Sequence, residues 1–322
     1  MAKLAKYLKP YVWQILLCVI LLFGQAMCDL NLPNFMSDIV NVGIQQSGIE
    51  EPLPKAVSEE GYRLISVFVT AHDREALSGV YRLVETGSEE ARQRQSEYPL
   101  LATRNVYILE ESAGQPALDS AADAYGTGAM TFLSFMKEMG SQDGGELSGE
   151  LSSSNLETVD FDSLYQVLPM LEQMPESAFD KARAQAEGLD SSMSSQIGVA
   201  MTRLFYQELG MDVDGIRMRY ILITGLYMLL LTLGVVAATI AVSFLASRIS
   251  AGVARTLRHK VFEKVESFSL AEFDRFSTAS LITRTTNDVT QVQMLLQMGI
   301  RMICYAPIIG IGGVIMAVNK SL

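Results

Sequence analysis

The chain has 322 residues, is rich in aliphatic residues, Met and Gly, and carries a formal net charge of −11. Residues 43–216 hold 29 acidic against 11 basic side chains, a balance of −18, which leaves +7 for the remainder. So uneven a split points to a membrane protein with a soluble acidic part, and the lack of a basic patch interleaved with aromatics excludes a nucleic-acid binder.

The first apolar segment runs from Tyr11 to about Cys28, after a tail with Lys3, Lys6 and Lys9 and no acid. The run is long for a signal peptide and no small-x-small cleavage site follows. The helix is expected to continue past Asp29 and to bend at Pro33. Its basic start predicts a cytoplasmic N-terminus. Gln14, Asp29 and Asn31 are read as lying near the two membrane interfaces. Gln25 and, behind it, Asp29 are the candidates for lining a cavity, since polar groups inside spans tend to be functional.

Residues 43–216 follow as an insert. "RLISVFVTA" from Arg63 and "NVYILEE" from Asn105 read as strands by their β-branched and aromatic content. "DREALSGVYRLVETGSEEARQRQ" and "DSLYQVLPMLEQMPESAFDKARAQAEG" read as helical, the latter broken at Pro169 and Pro175. "GSQDGGELSGELSSSNLET" reads as a flexible linker, and "MSSQIGVAMTRLFYQELG" as a helix. The insert has no cysteine, so no disulfide framework holds it; Cys18, Cys28 and Cys304 all lie in apolar segments and read as packing residues.

Tyr220–Ala246 is a charge-free run of 27 residues, about 40 Å as a helix and enough to span with tilt. Arg248, Arg255, Arg258, Lys260 and Lys264 follow it, which predicts that this end is cytoplasmic and the insert extracellular. Met302–Val318 is a third apolar run, with Pro307, Gly310, Gly312 and Gly313 suited to close helix packing. A third span with no domain after it reads as the end of a truncated chain.

The 55 residues between the second and third runs are not a loop. Ile249, Val253, Leu257, Val261, Val265 and Phe268 recur at helical spacing, and so do Leu281, Thr285, Val289, Val292 and Leu296. Two helices of about 20 residues projecting about 30 Å are expected to return as a hairpin with "AEFDRFSTAS" at its tip. Arg284 and Asp288, four apart, are a candidate structural pair on the returning helix.

Chemistry is sparse. The two histidines, His72 and His259, are predicted on opposite sides of the membrane and cannot share a metal. No G-x-S-x-G is present. The Lys-Ser pair at Lys320 has Asn319 and Val314 where a phosphate-cradling loop requires glycine. No catalytic, cofactor-binding or metal site is expected in these residues.

"LRHKVFEKVESFS", "EFDRFSTAS" and "LITRTTNDVTQVQ", together with "LPNFMSDIVNVGI" at Leu32–Ile44, resemble ABC exporters of the six-span type. "FSTASLITRTTNDVTQVQ" is most similar to their heterodimeric multidrug branch. The resemblance covers residues 5–45 and 217–320 and leaves out the insert, which is unusual for that family; the family's Gly after the Thr is Ala279 here. It implies all-α membrane helices, three spans with long cytoplasmic extensions; the insert's own strand-like and helical segments add an α+β extracellular insertion domain. It divides the chain into a first span (1–42), the insert (43–216), a second span with its extension (217–268), a coupling helix (269–279) and a third span (280–322). It implies that Glu272, Phe273, Asp274, Arg275 and Phe276 dock on a nucleotide-binding domain outside these residues, where ATP and Mg would bind. It further implies a second transporter half, a plasma-membrane location, and efflux of a drug, lipid or peptide by alternating access. A transmembrane sensor with an extracellular sensing domain and a mechanotransmitting permease share parts of this layout and remain as alternatives.

Overall fold

The computed structural model describes residues 6–110, 112–143, 161–188, 191–269 and 278–321. In chain order the elements are α1 (Val12–Asp38), β1 (Ala56–Ser58), α2 (Glu59–Phe68), α3 (Ala71–Ser78), β2 (Tyr81–Val84), α4 (Glu89–Arg94), β3 (Val106–Leu109), α5 (Gln115–Asp143), α6 (Phe161–Glu172), α7 (Asp180–Glu187), α8 (Ser191–Glu208), α9 (Val213–Glu266), α10 (Thr278–Thr283) and α11 (Val289–Ser321). They form two compact units: Met1–Ser37 with Thr224–Leu322, and Asp38–Ile223.

The first unit is helical. Three of its helical stretches, Lys6–Gln45, Val213–Glu266 and Ala279–Val318, are long and apolar enough to cross a membrane. The chain is thus a multi-pass membrane protein. α1 runs through Pro33 and passes into a π-helical turn at Ile39–Gln45, so 27 residues are followed by seven in one helical rod. α9 is one helix of 54 residues, about 80 Å long. Arg258 on α9 donates to the Thr290 hydroxyl on α11 at 3.2 Å. That bond joins the cytoplasm-predicted end of α9 to the start of α11.

The residues before α1 lie on the same stretch of α9. A Cβ at Gly252 would collide with the Tyr11 hydroxyl oxygen, and Lys260 Nζ sits 5.2 Å from the Tyr7 ring centroid. Only a residue with no side chain lets the phenol approach this closely.

The second unit is built around a three-stranded antiparallel sheet in the order β1-β3-β2. Alternation along the strands sends Val57, Tyr81, Tyr107 and Leu109 to one face and Ala56, Val84, Val106 and Ile108 to the other. A core stands on each face. The larger gathers Leu64, Phe68, Phe132, Phe135, Phe179 and Phe205; the smaller gathers Tyr98, Leu101, Tyr206 and Leu209. α8 contributes to both.

Three local expectations fail here. "RLISVFVTA" is mostly helix α2, not a strand. Ser58 caps it by accepting from Gly61 N at 3.0 Å, Glu59 and Glu60 occupy the first turn, and Gly61, Leu64, Ile65 and Phe68 share one buried face. A cap plus helical periodicity outweighs the β-branched content. The run from Asp73 is not continuous helix: α3 closes at Gly79, the chain crosses as β2, and α4 starts afresh at the Ser88 cap. Pro169 does not break α6. It lies on the exposed side, where water can satisfy the freed carbonyl, while Leu164, Leu168 and Leu171 are buried. The break comes at Pro175, before a 3-10 turn at Glu176–Ala178. Most of the expected linker lies outside the described residues; its first residues belong to α5, which ends at Asp143.

α5 itself has no counterpart among the sequence expectations. It is rich in Ala, Gly, Ser and Thr, and its apolar stripe is easily overlooked. The small residues are what make it central: a Cβ at Gly128 would lie 2.6 Å from Val69 Cγ1, and one at Gly198 of α8 2.8 Å from Pro52 and 3.5 Å from Gly126 Cα. The signal that would have found α5 is the spacing of Ala121, Tyr125, Gly128, Phe132 and Phe135.

Candidate functional site

Two regions carry function-bearing side chains in the first unit. One is the α9–α11 hairpin. The residues expected to dock on an ATPase, Glu272, Phe273, Asp274, Arg275 and Phe276, lie outside the described residues, between the end of α9 and the start of α10. Beyond them, Arg284 and Asp288 bound a π-helical turn, Arg284–Asp288, between α10 and α11. Both are exposed. The expected α-helix is therefore widened by one residue per turn at that point.

The other region is a polar cluster between α1 and α11. Asp29 falls near the middle of the rod from Val12 to Gln45, and Tyr305 falls at the midpoint of α11. The Tyr305 hydroxyl donates to Asp29 Oδ2 at 2.5 Å, and Gln25 Nε2 donates to the same oxygen at 3.4 Å. Gln25 is 5 % exposed, and its Oε1 is buried with no hydrogen-bond partner. Just beyond, a Cβ at Gly312 would lie 2.7 Å from Leu30 Cδ1, so the two helices continue in close approach. Cys18, Leu22 and Ala26 on the same helix are fully buried.

The structure therefore brings Gln25 and Asp29 together, with Tyr305 as their partner. A carboxylate oxygen that accepts from two donors is stabilised by charge-assisted hydrogen bonds. Tyr305 was not foreseen. The only trace of it in the sequence is a hydroxyl-bearing ring in the middle of "MICYAPIIG".

Among the described residues of the second unit, one carboxylate is deeply buried. Glu208, at the end of α8 with a side chain 6 % exposed, accepts from Ser58 Oγ and from the Tyr165 hydroxyl, both at 2.9 Å. Arg104 stands 3.9 Å away. Burial pushes its pKa above the ordinary glutamate range, and the two hydroxyls and Arg104 oppose this. It ties β1, α6 and α8 together. The remaining ion pairs shown, such as Arg63–Glu172 and Arg82–Glu90, are largely solvated. Among the described residues, no three His, Cys, Asp or Glu side chains gather as metal ligands do.

Residues 188–322 match the family of the ABC transporter transmembrane region. That match takes in the second of the two stretches that resembled ABC exporters and not the first. Among curated proteins, the uncharacterized ABC transporter ATP-binding protein YfiB of Bacillus subtilis is 40% identical over 107 residues, 33% of this chain and 19% of that protein. An uncharacterized ABC transporter ATP-binding protein of Mycobacterium tuberculosis is 42% identical over 86 residues, 27% of this chain and 15% of its own length. A putative ABC transporter ATP-binding protein of Mycoplasma pneumoniae is 28% identical over 133 residues, 41% and 21% of the two chains. The matched part thus spans about a fifth or less of each relative. No solved structure matches.

Proposed function

We propose that this chain is part of the membrane domain of an ATP-driven exporter, in which the α9–α11 hairpin is a lever moved by a nucleotide-binding domain. The observation that carries the reading is the long helical extension: α9 continues as helix about 20 residues past its charge-free run, and Arg258 on it donates to Thr290 of α11. A rigid pair of helices transmits a displacement at its tip to the spans without absorbing it. The match of residues 188–322 to the ABC transporter transmembrane region, and relatives named as ATP-binding proteins, support an ATPase partner.

In this reading the tip residues Glu272–Phe276 form the coupling contact. Phe273 and Phe276 are its apolar anchors and Glu272, Asp274 and Arg275 its polar rim. Closure of two nucleotide-binding domains would turn the bundle from inward-open to outward-open. ATP and Mg belong to those domains. The transport unit pairs this chain with a second, non-identical half in the plasma membrane. The basic residues at the N-terminus and after Ala246 favour the cytoplasm for the hairpin and the outside for the acidic unit. The third long apolar helix, Ala279–Val318, counts against a two-span receptor.

The test is Phe273→Ala in the complete transporter. Transport should fall at least tenfold while basal ATP hydrolysis persists and loses its response to substrate. Undiminished ATP-driven transport in that variant would remove the lever role.

A further inference from the structure

We infer that Glu60 and Glu208 form a proton-binding pair, in which one proton from solvent bridges the two carboxyl groups and fastens the end of α8, and with it the start of α9, to the first turn of α2. The inference concerns the second unit alone and stands whether or not the chain is part of an exporter.

The pair is assembled at the N-terminus of α2. Ser58 caps that helix, its Oγ accepting from Gly61 N at 3.0 Å, and the same hydroxyl donates to Glu208 Oε2 at 2.9 Å. Glu60 lies in the turn so capped, between Ser58 and Gly61. The Glu208 carboxylate therefore rests against the turn that carries Glu60. The Tyr165 hydroxyl, from α6, also donates to Oε2 at 2.9 Å. Both donors go to one oxygen. Glu208 Oε1 is buried with no hydrogen-bond partner, and the same holds for Glu60 Oε2.

These two orphaned oxygens cannot satisfy each other while both groups are ionised, since a carboxylate only accepts. One proton on Glu208 Oε1 changes that. It makes Glu208 a donor, and a bond to Glu60 Oε2 then satisfies both oxygens. It also removes one of two like charges held close together. The third charge at the site is Arg104, whose Nη1 stands 3.9 Å from Glu208 Oε1, too far for a hydrogen bond. Two carboxylates against one guanidinium leave a single negative charge, which one proton cancels. A metal ion fits less well, because Arg104 repels it and both hydroxyls turn their protons toward the carboxylate. Burial foremost, and the charge of Glu60 besides, raise the pKa of Glu208 against the opposing effect of the two hydroxyls and Arg104.

The bridge has a mechanical consequence. Glu208 ends α8, and only residues 209–212 separate it from α9. That link is held along its length. Leu209 O accepts from Leu100 N at 3.1 Å, and Gly210, at φ +75°, passes so near Pro99 that a Cβ would lie 3.2 Å from the proline Cβ. Asp212 Oδ1 accepts from Gly215 N at 2.8 Å in the first turn of α9. A shift at the end of α8 is thus carried into α9. With the proton bound, that end is drawn onto α2. With the proton lost, two facing like charges push the same elements apart. Since the folded unit holds this proton more tightly than the unfolded chain, the lock closes as pH falls and opens as pH rises through the folded value.

The experiment uses the complete protein in nanodiscs, from mildly acidic to alkaline pH. Infrared difference spectra, wild type minus Glu208→Gln, read the carboxylic C=O stretch of protonated Glu208. Hydrogen exchange of the amides in residues 209–213, corrected for its intrinsic pH dependence, reads the lock. The band should be present in mild acid, where an ordinary glutamate is ionised, and vanish as pH rises. Exchange should slow several-fold as the band appears. Glu208→Gln, whose amide N–H replaces the bridging proton, should exchange slowly at every pH. Glu60→Gln brings its own donor to Oε1 and removes the like charge, so its band should need about tenfold more protons to appear. Glu60→Asp should return the band part of the way. Glu60→Gln leaves the buried residue in place, so its spectra against wild type decide the matter even if Glu208→Gln unfolds. Absence of the band in wild type, or a band that Glu60→Gln does not move, would overturn the proposal. So would exchange at the α8–α9 link that does not follow the band. Loss of the band on adding calcium chloride in mild acid would make this a metal site and overturn it as well.

Discussion

Replacing Phe68 by alanine tests the packing of the second unit most directly. Phe68 is fully buried at the end of α2, and three aromatic rings surround it: Phe179 at 5.0 Å and Phe132 at 5.3 Å, both edge-on, and Phe135 at 5.7 Å. Removing the ring loses its transfer free energy and leaves a cavity, together about 3–5 kcal/mol. The upper part of that range is expected. α5 supplies two of the walls and Phe179 the third, and Phe135 and Phe179 also pack on each other at 5.0 Å, so the cavity cannot easily collapse. Each loss of about 1.4 kcal/mol is tenfold in population, so the unfolded fraction of this unit should rise by about two to four orders of magnitude. Pulse proteolysis of the detergent-solubilised chain across a urea series reads this as a lowered midpoint. Phe68→Leu, which keeps most of the volume, should cost much less than the alanine change. A loss below about 1 kcal/mol for Phe68→Ala would refute the claim that these rings form the central support of the unit.

Gly128→Ala should destabilise the same unit by about 1–2 kcal/mol in the same assay, although alanine favours a helix. The added methyl meets the stiff Val69 side chain at 2.6 Å, and overpacking of this kind exceeds the roughly 1 kcal/mol gained in propensity. The pKa of Glu208 is raised by burial, so the folded unit holds that proton more tightly than the unfolded chain. Its contribution to stability is complete below the ordinary glutamate range and is lost as pH rises through the folded value. Glu208→Gln should therefore flatten the decline of stability with rising pH, read as a smaller change in unfolding midpoint from acidic to neutral buffer. Gly252→Val should displace Tyr11 from α9 and speed trypsin cleavage after Lys6 several-fold, since no side chain fits beneath the phenol.

Much of the membrane part was legible in the sequence, because lipid makes demands that composition records. A helix that crosses a bilayer must be apolar along its length and must satisfy its own backbone, so charge-free runs and flanking basic residues announce it. The helical extension of α9 was equally plain, since Ile249, Val253 and Leu257 repeat at the period of a helix whatever lies around them. Local readings of the insert fared worse. Ile65 and Val67 favour a strand by type, but the Ser58 cap and the buried face of α2 made a helix. α5 escaped notice because glycine and alanine show little hydrophobic pattern, and their value lies in how near another helix can come. The polar cluster lay furthest from view. Gln25 and Asp29 sit one turn apart on a single helix, so their contact with each other is readable from spacing. That their partner is Tyr305, 276 residues away from Asp29, was decided by packing between two helices whose order in the chain says nothing of which faces meet.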